Sequence, residues 1–176
     1  MMLDEAETGH WMRWQATEEV DWDAVYAEQL PRIYNYFRFR LGNSAEAEDL
    51  TSRTFEKAWR ARSRYRRDLA GFSTWLFTIA QNIGLDHLRS RRSHVPIDAA
   101  SEVAAEATPQ DSIERDSNLA RLATLTARLP ERERALIAFK YGAALSNRQI
   151  ARLTGLSESN VGTLLHRAVQ ALRSKW

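Results

Sequence analysis

The chain has 176 residues, 44% of them hydrophobic and 27% charged, a composition that supports a core and excludes global disorder. It has no cysteine and only four scattered histidines (His10, His87, His94 and His166), which excludes disulfides, thiolate chemistry and a helical histidine metal site; no metal or cofactor is expected. The net charge of +2 conceals blocks of −7 over residues 1–30, +2 over 31–60, +5 over 61–95, −5 over 96–118 and +7 over 119–176, so two basic stretches suited to a polyanion flank an acidic one.

Residues 1–21 form an acidic N-terminal extension without the apolar core of a signal peptide. No apolar run approaches the roughly 18 residues of a membrane span. A cytoplasmic protein without membrane insertion is the expectation. Trp11 and Trp14 fit either one face of a short docking helix or an acidic disordered tail. Helical spacing begins with Tyr26, Leu30, Ile33, Phe37 and Leu41, with Pro31 as a kink or restart. Leu41-Gly42-Asn43-Ser44 then reads as a stop and a new N-cap. A helix over about 45–61 opens on Glu46, Glu48 and Asp49, which suit its positive end. Its apolar stripe is Ala47, Leu50, Thr54 and Ala58, widened by Phe55 and Trp59.

An Arg-rich loop over about 62–72 precedes a helix over about 73–92. Phe72, Trp75, Leu76, Ile79 and Ile83 lie on one side of it, and Thr74, Thr78, Gln81, Asn82 and Arg89 on the other. Residues 93–114, with Pro96 and Pro109, read as a flexible acidic linker. Helical pattern returns from Ile113 to Leu129, breaks at Pro130 and resumes from Glu131 to Tyr141.

The last thirty residues predict a helix-turn-helix. Ser146 and Gln149 form a capping box, Thr154-Gly155-Leu156 a turn, and Ser157 caps a second helix with Val161, Leu164, Leu165, Ala168 and Leu172 inward. Ala151 permits close crossing, Gly155 supplies the turn and Val161 packs between the helices. The second helix would enter the major groove with its polar N-terminal residues leading. In the first half, arginines at 64, 66, 67, 89, 91 and 92 bracket Tyr65, Phe72 and Trp75. That combination suits a single strand, with cations along phosphates and rings against unstacked bases. Helical spacing with Leu76 and Ile79 favours a core role for Phe72 and Trp75 themselves.

The segments AEAEDLTSRTFEKAWR, RYRRDLAGFSTWLFTIAQNIGLDHLRSRR and LPERERALIAFKYGAALSNRQIARLTGLSESNVGTLLHRAVQALR together resemble bacterial sigma factors of the extracytoplasmic-function (ECF) class. The resemblance implies an all-α fold of two small helical domains, a region 2-like unit over 22–92 and a region 4-like helix-turn-helix unit over 115–176. It implies core RNA polymerase as a partner, through the clamp helices of its largest subunit and the flap of the second, together with promoter DNA and an anti-sigma factor. Asp49, Ser52, Arg53 and Glu56 would meet the clamp. Arg66, Arg67, Asp68, Phe72, Ser73, Thr74, Asn82, Asp86 and Arg89 would receive the melted −10 element. Arg148, Ser157, Ser159, Asn160, Thr163, His166 and Arg167 would read the −35 element.

Three stretches depart from the family pattern, among them residues 1–20, which fit no part of it. Ser52-Arg53 stands where Gln-Glu is frequent, and Gly162 and Leu164 stand where basic residues are common. An exposed Leu164 beside Gly162 would make an apolar patch for a protein partner; a sparse recognition helix would instead read DNA weakly. No paired carboxylates, nucleophile motif or nucleotide-binding glycines occur, so no enzyme is expected. A helix-turn-helix regulator acting without polymerase is the alternative.

Overall fold

The computed structural model describes residues 21–94, 121–122 and 124–176. The acidic extension with Trp11 and Trp14, the linker beyond His94 and the pattern from Ile113 to Leu119 lie outside these residues. The described residues form helices joined by turns.

Helix α1 (Trp22–Leu41) starts at Asp21, whose carboxylate accepts from the Asp23 and Ala24 amides at 3.1 Å each. It runs through Pro31, which is exposed, so the backbone bond that proline cannot make is left to solvent. Gly42 ends it in the left-handed conformation (φ 76°), donating to the Arg38 carbonyl. Helix α2 (Ser44–Arg60) is capped by Asn43 and buries Ala47, Leu50, Thr51, Thr54 and Ala58. Thr51 and Thr54 are tolerated there because their hydroxyls donate to the Ala47 and Leu50 carbonyls at 2.6 and 2.7 Å. After a short 3₁₀ turn (Arg62–Arg64), helix α3 (Phe72–His94) buries Leu76, Phe77, Ala80 and Ile83 against α1 and α2.

Residues 121–122 and 124–127 are helical. Helix α4 (Glu131–Ile137) begins behind Pro130 and passes into a π-turn (Ala138–Gly142). The turn is closed by Ala143 N–H donating to the Ala138 carbonyl at 2.9 Å. Helices α5 (Asn147–Thr154) and α6 (Glu158–Arg173) form the helix-turn-helix. The capping box is present in full, and Gly155 turns the chain at φ 72° while its N–H donates to the Ala151 carbonyl. Val161, Leu165 and Ala168 are buried between the helices.

The two helical halves share one core. Ile33, Tyr36 and Phe37 of α1 pack with Leu76 and Phe77 of α3 and with Leu136, Ile137 and Phe139 of the second half. Tyr36 stacks on Phe139 with centroids 4.7 Å apart and planes at 20°. Arg32 Nε donates to the Ala143 carbonyl at 2.9 Å, and Arg40 reaches Glu131 at 3.5 Å.

Candidate nucleic-acid interface

The loop between the 3₁₀ turn and α3 is held by rings. Phe72 sits at the start of α3 and meets Trp22 (5.4 Å), Tyr65 (5.3 Å) and Trp75 (5.4 Å) edge-on or tilted. Trp22 also meets Trp59 at the end of α2, 5.3 Å away. Such offset ring pairs add about 0.5–1.5 kcal/mol each beyond their burial. The chain of rings therefore pins the loop to both neighbouring helices. Phe72 and Trp75 are half-buried and packed on the core, as the helical-spacing account has them. Trp22 and Trp59 belong to the same cluster; Trp59 was legible as part of the apolar stripe of its helix, but only the tertiary fold brings Trp22 to Phe72.

Within the loop, the Arg66 guanidinium grips Asp68 with both prongs, at 2.9 and 2.7 Å. These hydrogen bonds hold the Asp68 carboxyl below the usual carboxylate range and push the Arg66 guanidinium further up. Both side chains are in solvent, so Arg66 offers phosphate a charge already partly satisfied. Arg67 is exposed beside it. Along α3, Thr74, Thr78, Asn82, Asp86 and Arg89 recur at helical spacing, and all but half-buried Thr74 are exposed. Asp86 and Arg89 approach at 3.5 Å. Ser73 differs: its hydroxyl is buried without a hydrogen-bond partner. The stripe therefore presents amide, carboxylate, hydroxyl and guanidinium groups in a row, which suits base edges and phosphates together.

On α2 the candidate polymerase contacts Asp49, Ser52, Arg53 and Glu56 are all exposed, on the face opposite the buried stripe. Arg53, where the family often has an acid, pairs with Asp49 one turn back at 3.7 Å, and Glu56 pairs with Arg60. Trp59 extends this face and is 50% exposed, with the Arg62 guanidinium 4.2 Å above its ring.

On the helix-turn-helix, the Ser157 hydroxyl accepts from the Asn160 amide at 3.2 Å and so fixes the first turn of α6. Ser157, Ser159, Asn160, Thr163, His166 and Arg167 are exposed, and so is Arg148 on α5. Ser159, Asn160, Thr163, His166 and Arg167 recur at helical spacing on one exposed face of α6, an arrangement suited to a major groove. Leu164 is half-buried and packed on the core, in line with its inward position and against the alternative of an exposed apolar patch beside Gly162. A leucine one position before buried Leu165 still falls within the inward stripe of α6. Among the described residues, no helix is long and apolar enough to cross a membrane.

Comparison with known proteins bears on both surfaces. Residues 25–94 match the model of Sigma-70 region 2, and residues 119–172 match that of Sigma-70, region 4. The chain is 31% identical over 154 residues to the ECF RNA polymerase sigma factor SigL of Mycobacterium tuberculosis, a match covering 85% of each protein. It is 32% identical over 163 residues to the ECF RNA polymerase sigma factor BldN of Streptomyces coelicolor, covering 91% of this chain and 62% of that longer relative. Its fold is similar to the sigma factor RpoE of Bartonella quintana, solved with the anti-sigma factor NepR, with a TM-score of 0.67, 21% identity, and coverage of 88% of this chain and 95% of that one. Both halves match in the family's order, and identity to SigL runs through both, so the chain belongs to the ECF RNA polymerase sigma factors.

Proposed function

We propose that this chain is a promoter-specificity subunit that binds core RNA polymerase and directs it to promoters. The exposed face of α2, through Asp49, Ser52, Arg53 and Glu56, meets the polymerase clamp. The loop and polar stripe of α3 receive the melted −10 element, and α6 with Arg148 reads the −35 element. The working units are 22–92 and 115–176. The protein acts in the cytoplasm and carries no catalytic step of its own, since polymerase makes the bonds. Its role is to offset the few kcal/mol of unstacking when a base leaves the duplex. An anti-sigma partner is proposed by analogy with the similarly folded Bartonella protein, solved with one.

The observation that carries this reading is that both halves present exposed polar readers on helices whose other faces are buried. The test pairs a core-binding titration with permanganate footprinting of the −10 region. Asn82→Ala, and a joint Arg66→Ala and Arg67→Ala change, are expected to impair melting while leaving core affinity unchanged. A lost base contact costs about 1–3 kcal/mol. Normal melting in both variants would remove α3 and its loop from the −10 site.

A further inference from the structure

An aromatic strip joins α1 to α2 and is only half covered. Trp22 and Tyr26 lie one turn apart on α1, and Phe55 and Trp59 one turn apart on α2. The two helices pair them ring to ring: Trp22 meets Trp59 at 5.3 Å, and Tyr26 meets Phe55 at 4.7 Å. Tyr26 is 49% exposed and Trp59 50%, so the strip turns an apolar side outwards. Ala47, Leu50 and Ala58 already hold α2 to the core, and the outer faces of these rings add nothing to that packing. Adjoining exposed rings of this size mark an interaction surface.

We propose that this strip is the docking site of the chain's own N-terminal segment, residues 1–20, which seats Trp11 and Trp14 on Tyr26 and Trp59. The assignment does not rest on the sigma reading. The segment enters α1 at Trp22, itself a ring of the strip, so docking closes only a short loop. Trp14 and Trp11 precede Asp21 by seven and ten residues, a reach of about 23 and 33 Å at ~3.3 Å per residue. The strip from Trp22 to Tyr26 is about 6 Å long at ~1.5 Å per helical residue. Helical spacing puts Glu7, Trp11, Trp14 and Glu18 on one face, two rings between two carboxylates.

Charge selects this occupant. Residues 1–20 carry five acids and one arginine, a net −4, whereas residues 57–67, around and beyond Trp59, carry six bases and no acid. The Arg62 guanidinium stands 4.2 Å over the Trp59 ring. A carboxylate beside an incoming tryptophan therefore finds a cation next to the ring being covered. A second copy of the chain would instead set two arginine-rich edges against each other in a two-fold contact, which like charge opposes. Phe55 and Trp59 lie between the buried stripe of α2 and the exposed Ser52 and Glu56. The docked segment thus borders the face proposed for polymerase and leaves Asp49 and Arg53 uncovered.

Hydroxyl-radical footprinting of the full chain, read residue by residue by mass spectrometry, tests the assignment. Tyr141, 55% exposed on the other half, is the internal reference ring. In the wild type Tyr26 is expected to oxidise more slowly than Tyr141. A joint Trp11→Ala and Trp14→Ala change is expected to raise oxidation of Tyr26 and Trp59 severalfold and leave Tyr141 as it was. A joint Glu5→Lys and Glu7→Lys change, which removes no ring, should act in the same direction and stands in if the tryptophan variant loses helicity by circular dichroism. Unchanged oxidation of Tyr26 and Trp59 in the folded variants overturns the docking. Protection that disappears on dilution gives the strip to a second copy, and protection that appears only with core polymerase gives it to polymerase; either result overturns the proposal.

Discussion

Tyr36 shows what one buried side chain imposes on the molecule. It is fully buried, with its hydroxyl beside the Arg40 guanidinium. Burial raises the phenol above its ordinary value of 10.0, and the nearby Arg40 charge offsets only part of that. Because the folded form holds this proton more tightly than the unfolded chain, the associated stability is complete below pH 10 and is lost as pH climbs towards the raised value. The urea midpoint of the native protein should therefore fall between pH 8 and pH 10.5 by more than that of Tyr36→Phe. Equal losses in the two proteins would contradict this account of Tyr36. Residue type and spacing placed Asn82 and Arg89 on the polar side of α3, since a polar stripe opposite an apolar one is a local pattern, and their exposure follows it; Asp86 was implied by the family resemblance. The Arg66–Asp68 grip was not legible, because neighbours two apart in a loop pair only if the backbone turns to allow it. The buried hydroxyl of Ser73 was equally hidden, for its position at the root of α3 depends on the ring cluster around Phe72.

At the scale of elements, α6 and the turn before it put two glycines under opposite constraints. Gly155 sits at φ 72°, where any side chain is strained. Gly162 lies inside the helix with room for a methyl group, whose nearest neighbour would be Asn147 Nδ2 at 3.6 Å. Gly155→Ala should destabilise the protein by about 1–2 kcal/mol, whereas Gly162→Ala should stabilise it by up to about 1 kcal/mol. Denaturant midpoints of the two variants check both signs at once; a stabilising change at 155 or a destabilising one at 162 would contradict the assigned conformations. The helix-turn-helix was readable in advance because its signals are local: Ser146 with Gln149, Gly155, and the inward apolar residues of α6. The π-turn was not. Its apolar spacing over 138–142 matches an α-helix, and the shift to wider hydrogen bonding goes with packing against α1, remote in sequence.

At the scale of the whole molecule, the common core was invisible in the sequence for a related reason. Tyr36 with Phe139 and Arg40 with Glu131 are pairs from opposite halves, and each member also fits the pattern of its own helix. Two separate helical units and one joined body therefore have the same periodicity. The blocks of charge, by contrast, already pointed to two polyanion-facing surfaces, and exposed candidate readers occur on both halves. The claim that joins these surfaces is that polymerase, once it holds this chain, starts transcription at promoters the chain selects. The most direct measurement is in vitro transcription by core RNA polymerase on a genomic DNA library, with and without the protein, mapping the 5′ ends. The account predicts a set of discrete start sites that appear only when the protein is present and share sequence at both the −10 and −35 positions. Start sites unaffected by the protein, with the free chain binding duplex DNA tightly and specifically by itself, would contradict it and identify a helix-turn-helix regulator acting without polymerase.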